Sequence, residues 1–279
     1  MSNNIGFMQG RLCEPVSGKI QAFPWQEWES EFRSAHEIDL PLMEWTLDQE
    51  NLYQNPLMTL GGQKKILTLS KKYNLKIASL TGDCFMQSPF WKVTELTIKN
   101  ELKNDFLAIC KACSSVDIEF VVVPLVDAGA FVSKSQEDEF VEFCISNVST
   151  FKKLDIKIIF ESDYNPDELA RFIKRLPKEI FGINYDIGNS AALGYEPKEE
   201  FAAYGARILN VHVKDRVLGG STVALGLGNA NFEEVFSELK KLNYPGNYIL
   251  QTARATDGDH KSIIQAYKRM VQEWLEIEH

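Results

Sequence analysis

The sequence predicts an α/β protein, a closed (β/α)8 barrel forming a single domain over residues 1–279, on three observations. Short apolar strands alternate with helical patterns from one end to the other. That alternation requires parallel strands joined by right-handed helical crossovers. Eight such units in 279 residues match a closed barrel, and the turn after the first strand, Gln9-Gly-Arg-Leu-Cys-Glu-Pro15, lacks the GxGxxG that opens a doubly wound sheet.

In chain order, the first strand is expected over 5–12 and a helix over 25–38. A strand over 40–47 precedes a helix over 63–73, and a strand over 75–81 precedes the longest helix, 92–114. The strand over 118–126 is the most apolar, as suits a parallel sheet buried on both faces. A helix over 136–153 and a strand over 156–162 follow, then a helix over 166–175 with proline at its tolerated first turn. The last three strands are read at 181–187, 208–213 and 247–252, with helices at 198–205, 232–241 and 261–276.

Composition narrows the function. With 44% hydrophobic and 25% charged residues, the chain can bury a large core. A net charge of -9 argues against nucleic acid, which needs clustered Lys and Arg, and favours a small-molecule partner. No stretch approaches the roughly 18 apolar residues of a membrane span, and Met1-Ser-Asn-Asn4 lacks the features of a signal peptide, so a cytoplasmic protein is expected. Five scattered cysteines fit reduced thiols, and Cys110-Lys-Ala-Cys113 falls inside a helical pattern, with no second pair to complete a zinc site.

Four apolar runs of the second half each end in a residue able to bind a metal: Glu161, Asp186, His212 and Gln251. In a barrel the strand carboxyl ends share one mouth, so these four converge on neighbouring staves. Two carboxylates, an imidazole and an amide oxygen suit one divalent ion, Mn²⁺, Mg²⁺, Co²⁺ or Zn²⁺. Taken singly, Asp186 could close a turn, His212 could be a core histidine and Glu161 could pair with Lys214.

Glu161, Asp186-Ile-Gly-Asn189, His212-Val-Lys-Asp215, Gly226-Leu-Gly-Asn-Ala-Asn-Phe232 and the opening Gly6-Phe-Met-Gln-Gly-Arg11 together resemble the xylose isomerase-like TIM barrels. The nearest branch in pattern is that of the sugar phosphate isomerases/epimerases. The resemblance implies a sugar or sugar phosphate substrate and one divalent cation held by Glu, Asp, His and a second Glu; a homo-oligomer is a further possible partner state. The first three positions fall on Glu161, Asp186 and His212, and the fourth is Gln251. The implied chemistry is proton abstraction beside a carbonyl, through an enediolate, with Glu161 as base and Gln251 at the second catalytic position.

That glutamine bears on the reaction. An epimerase needs a second group to return a proton to the opposite face, and an amide cannot do so at neutral pH. One-base isomerisation is therefore favoured over 3-epimerisation or inosose-type dehydration, unless another acid such as Glu44, Asp257 or His260 reaches the vacant face. A retired enzyme that binds sugar is the reading outside catalysis. The DNA-repair endonuclease branch needs many histidines, whereas this chain has four.

Arg11, Glu44, Asn189, Lys214 and Arg216 are the candidate substrate contacts, the cations for an anionic group and Glu44 for hydroxyls. Gly226 and Gly228 could cradle a phosphate or simply make a turn. Phe85 and Trp91, after the third strand, could wall a sugar.

Overall fold

The computed structural model describes residues 4–276. In chain order these form β1 (Ile5–Met8), α1 (Trp28–Glu37), β2 (Leu42–Thr46), α2 (Leu60–Tyr73), β3 (Lys76–Thr81), α3 (Asp83–Gln87), α4 (Leu96–Ser114) and β4 (Phe120–Leu125). They continue with α5 (Lys134–Ser146), α6 (Val148–Leu154), β5 (Lys157–Ser162), α7 (Pro166–Lys174), β6 (Phe181–Asp186), α8 (Ile187–Leu193), α9 (Pro197–Tyr204) and β7 (Ile208–Val213). A small hairpin, β8 (Asp215–Arg216) with β9 (Thr222–Val223), precedes α10 (Phe232–Lys241), β10 (Asn247–Leu250) and α11 (His260–Glu276).

The parallel strands close in the order β1-β10-β7-β6-β5-β4-β3-β2, which is the barrel the alternation predicts. Side chains alternate across each strand and divide the apolar residues into two sets. Val121, Val123, Ile158 and Phe160 face the helices within the large outer core. Phe120, Val122 and Ile159, with Leu209, form a separate small cluster on the opposite, inner face. Toward the carboxyl ends the inner face turns polar: Glu161 follows Ile159 on β5, and on β7 a register shift against β6 at Leu209 lets Asn210 and His212 also reach inward to Glu44. Apolar packing thus fills the base of the barrel and leaves its carboxyl end to chemistry.

Several elements differ from expectation. The helix over 136–153 is two, α5 and α6, because Asn147 leaves helical geometry at φ -106°, ψ 7° and donates its side-chain amide to Phe143 O. The helix expected from residue 92 begins at Leu96; before it the chain bends to bury Phe90 and Trp91, the latter donating Nε1–H to Gly129 O. Phe85 and Trp91 are accordingly core residues and not sugar walls. β1 stops at Met8 because Gly10 turns the chain with φ 87°. All five cysteines are buried and unpaired. Among the described residues no helix is long and apolar enough to cross a membrane.

A buried carboxylate ties two outer helices together. Glu137 of α5 accepts hydrogen bonds from Arg171 of α7, from Arg175 and from Tyr164. The Arg171 hydrogen bond, against the cost of burial, leads in lowering the Glu137 pKa to about 2. A carboxyl depressed in the folded state stabilises it above the unfolded-chain value near 4.5, and that contribution is lost as pH falls toward 2. Glu137→Gln should therefore lower the urea midpoint at pH 7, and the gap from wild type should narrow at pH 3. A gap equal at both pH values contradicts this role.

Candidate functional site

Strand register places the four predicted strand-end residues together. Asp186 and His212 are direct partners across β6 and β7, and Gln251 donates its backbone N–H to Val213 O beside Lys214. One ligand atom each from Glu161, Asp186 and His212 lies within 4.8 Å of the others, and all three residues are buried. His212 Nδ1 stands 3.2 Å from Glu161 Oε2 and 3.8 Å from Asp186 Oδ2.

The other imidazole nitrogen faces Glu44. Glu44 Oε1 lies 2.6 Å from His212 Nε2, while Oε2 accepts from Ser79 Oγ at 2.5 Å and Asn210 Nδ2 at 3.0 Å; Thr81 Oγ1 also donates to Oε1. Burial opposes charge on Glu44, but His212 and the Ser79 and Thr81 hydroxyls outweigh it and hold its pKa below the usual carboxylate range. Fully buried, Glu44 belongs to the support beneath the site rather than to the substrate surface expected from sequence. It orients the ring so that Nδ1 faces the two acids.

Burial alone would lower the His212 pKa, yet Glu44, Asp186 and Glu161 together raise it well above its ordinary value. A pair of acids around Nδ1 calls for positive charge between them, which is the observation that fits this donor set to a divalent cation. Its oxygen and nitrogen donors match the Mn²⁺, Mg²⁺, Co²⁺ or Zn²⁺ class.

Amides and a lysine hold the acids in place. Asn189 Nδ2 donates to Glu161 Oε1 at 2.6 Å, and Asn184 Nδ2 to Oε2 at 3.1 Å. Asp186 caps α8 by accepting Asn189 N–H at 2.8 Å, and Lys214 Nζ donates to its other oxygen at 2.8 Å. Burial works against the Asp186 carboxylate, but Lys214 and His212 hold its pKa well below the ordinary range. Lys214 Nζ also reaches Gln251 Oε1 at 3.4 Å, so Gln251 borders the cluster on the Asp186 side.

Above the cluster opens a cavity of about 490 Å³. Glu161, Asn189, Lys214, Arg216 and Gln251 line it, together with Gln21, Asp83, Asp127 and Asp163. Arg216 spends Nε and Nη2 on Gly220 O and Nη1 on Asn189 Oδ1. Arg11, 3% exposed, does not line the cavity; it lies behind the wall and donates to Ile20 O and Gln21 Oε1, so its guanidinium is engaged within the protein rather than open to an anion. Of the three acids considered for the vacant face, Glu44 lies below it, Asp257 accepts from Asp259 N–H in an exposed loop, and His260 pairs with Glu14. The Gly226 and Gly228 N–H groups, with that of Ala230, donate to the Asp215 carboxylate. Turn geometry, rather than a phosphate cradle, is what that loop builds.

Asp83 was not singled out from sequence. A related signal was present, since Thr81-Gly-Asp83 puts an acid two residues past the third strand, at the start of α3, where the fifth and sixth strands end in acid themselves. The residue is 7% exposed and accepts from Gln21 Nε2 at 2.8 Å.

The chain is thus a closed parallel barrel whose strands carry, at their carboxyl ends, an acid–acid–histidine cluster able to hold a metal ion. A sequence model of the xylose isomerase-like TIM barrel matches residues 32–274, and the chain belongs to that family. Among solved structures, it is similar to D-psicose 3-epimerase with D-tagatose from Clostridium cellulolyticum H10, at 11% identity and TM-score 0.74, covering 98% of this chain and 100% of that one. It is also similar to the IOLI protein with a binding zinc atom, at 14% identity and TM-score 0.75, over 98% of both chains. At such identities the likeness is one of fold. An uncharacterized protein of Methanocaldococcus jannaschii is 30% identical over 112 residues, so the match spans 39% of this chain and 38% of that relative.

Proposed function

We propose that the protein is a divalent-metal-dependent sugar isomerase or epimerase that removes a proton beside the carbonyl of an unphosphorylated sugar, with Glu161 as the base. One observation carries this reading: Glu161 is at once a member of the buried donor cluster and part of the cavity wall. Its carboxylate therefore faces both the cation position and the space a sugar would fill. An ion held by Glu161, Asp186 and His212, with Gln251 at its edge, would supply Lewis-acid polarisation of the carbonyl.

The chain's own residues do the rest. Asn184 and Asn189 fix the Glu161 carboxylate for proton abstraction, a contribution of about 10²- to 10⁴-fold in rate. Lys214 and Arg216 remain on the cavity wall to meet hydroxyls and the enediolate oxygen. Charge supports a neutral substrate. The wall carries the carboxylates Asp127, Glu161 and Asp163 against the cations Lys214 and Arg216, both already hydrogen-bonded within the protein. Arg11 and the 226–230 amides, the expected phosphate donors, are engaged elsewhere.

The test is solvent exchange. Incubated in D₂O with Mn²⁺ and a panel of ketohexoses, the enzyme should place deuterium on a carbon next to the carbonyl of at least one member. A sugar that binds by calorimetry and never exchanges would instead make this a binding protein.

A further inference from the structure

Proton abstraction by Glu161 leaves open where the proton returns. A glutamine at 251 cannot return it, and its partners explain what stands in its place. Gln251 Nε2 donates to Gln21 Oε1 at 3.0 Å, and Arg11 Nη2 donates to the same oxygen at 3.3 Å. With two donors on its oxygen, the Gln21 amide is oriented so that Nε2 donates to Asp83 Oδ2 at 2.8 Å. The amide at 251 is thus linked through one residue to a carboxyl group on the same cavity wall.

Asp83 differs from the other acids around it. Glu44 accepts from four side chains including His212, and Asp186 is paired with Lys214. Asp83 is buried and receives its side-chain hydrogen bond from a neutral amide rather than a cation, so the cost of burying its charge favours the protonated acid over that opposing contact. Burial pushes its pKa up to about 7, against the Gln21 hydrogen bond and with Asp48 and Glu161 adding to the rise. Asp163 also lines the cavity, but it follows Glu161 on the same stave and approaches from the same side. Asp83 leaves the end of β3, with β4 between it and Glu161 on β5.

We propose that Asp83 is the second acid–base residue of the site, facing Glu161 across the substrate, so that the reaction is epimerisation of an unphosphorylated ketose. The proposal rests on the metal-dependent reading above. In one direction the Glu161 carboxylate takes the C–H proton and the C–H electron pair enters the enediolate double bond. The Asp83 carboxylic acid then gives its proton to the opposite face of the same carbon as the carbonyl re-forms. Glu161 ends protonated and Asp83 ionised, which is the state from which the other epimer runs the same steps in reverse; exchange of both groups with solvent restores the first state.

The experiment uses full-length enzyme with Mn²⁺ and the epimers D-fructose and D-psicose in D₂O, comparing wild type with Asp83→Asn. Wild type should invert the carbon and label it. Asp83→Asn should lose inversion by at least about 10²-fold while one epimer still gains deuterium with its configuration retained. A carboxyl ¹³C titration of the metal-free protein, assigned by the signal lost in Asp83→Asn, should show a midpoint near neutral pH. Inversion at the wild-type rate in Asp83→Asn, or a midpoint in the ordinary carboxylate range, overturns the assignment. Wild type that exchanges without inverting overturns it while leaving the broader reading intact; wild type that never exchanges removes both.

Discussion

Glu161→Gln should reduce deuterium exchange into the sugar by about 10²- to 10⁴-fold, the usual worth of a positioned base. Glutamine keeps the shape of the side chain and one oxygen toward His212, and it loses the capacity to take a proton. The loss should appear in kcat at saturating metal, because the Asp186 and His212 donors remain. Measured metal content separates the two roles of the residue. Activity near wild type would move the base elsewhere, and loss of the ion alone would make Glu161 a ligand without proton-transfer duty.

The second large effect is expected one layer down. Glu44→Ala should weaken metal binding by about 10- to 100-fold, as is common when the partner of a ligating histidine is removed. Glu44 is not itself part of the cavity wall, yet it holds His212 Nε2 at 2.6 Å and gathers Ser79, Thr81 and Asn210 around it. Its removal leaves these buried donors without their acceptor, so a lower melting temperature should accompany the weaker binding. Calorimetric titration with Mn²⁺ reads the first effect and a thermal melt the second. Unchanged affinity would show that the ring keeps its orientation without Glu44.

Much of this was legible in sequence because period and position are local properties. The eight strands were readable from their apolar runs, and Glu161, Asp186 and His212 from the acid or imidazole that closes them. What stayed hidden depended on neighbours far along the chain. Glu44 reads like any strand-end acid, and only its 168-residue separation from His212, closed by the fold to 2.6 Å, makes it a support rather than a sugar contact. Asp215 closes the His212-Val-Lys-Asp215 run like one more acid of the mouth, and only the fold shows three loop amides claiming it. Asp83 stands two residues past its strand in a related pattern, and its character comes from burial beside Gln21, which lies in a loop without periodic pattern. The break at Asn147 was equally invisible to a reading based on apolar spacing.

The alternation of inner and outer side chains along the strands has a cost for sequence change. Ile159 and Glu161 share one parity, Ile158 and Phe160 the other, so the two sets are interleaved letters of one reading frame. A single residue inserted inside β5 would shift that frame, pointing Glu161 at the helical shell and an aromatic ring into the mouth. Chemistry and solubility would fail together. Changes of length should accordingly be tolerated in the loops between strands and not within the strands themselves.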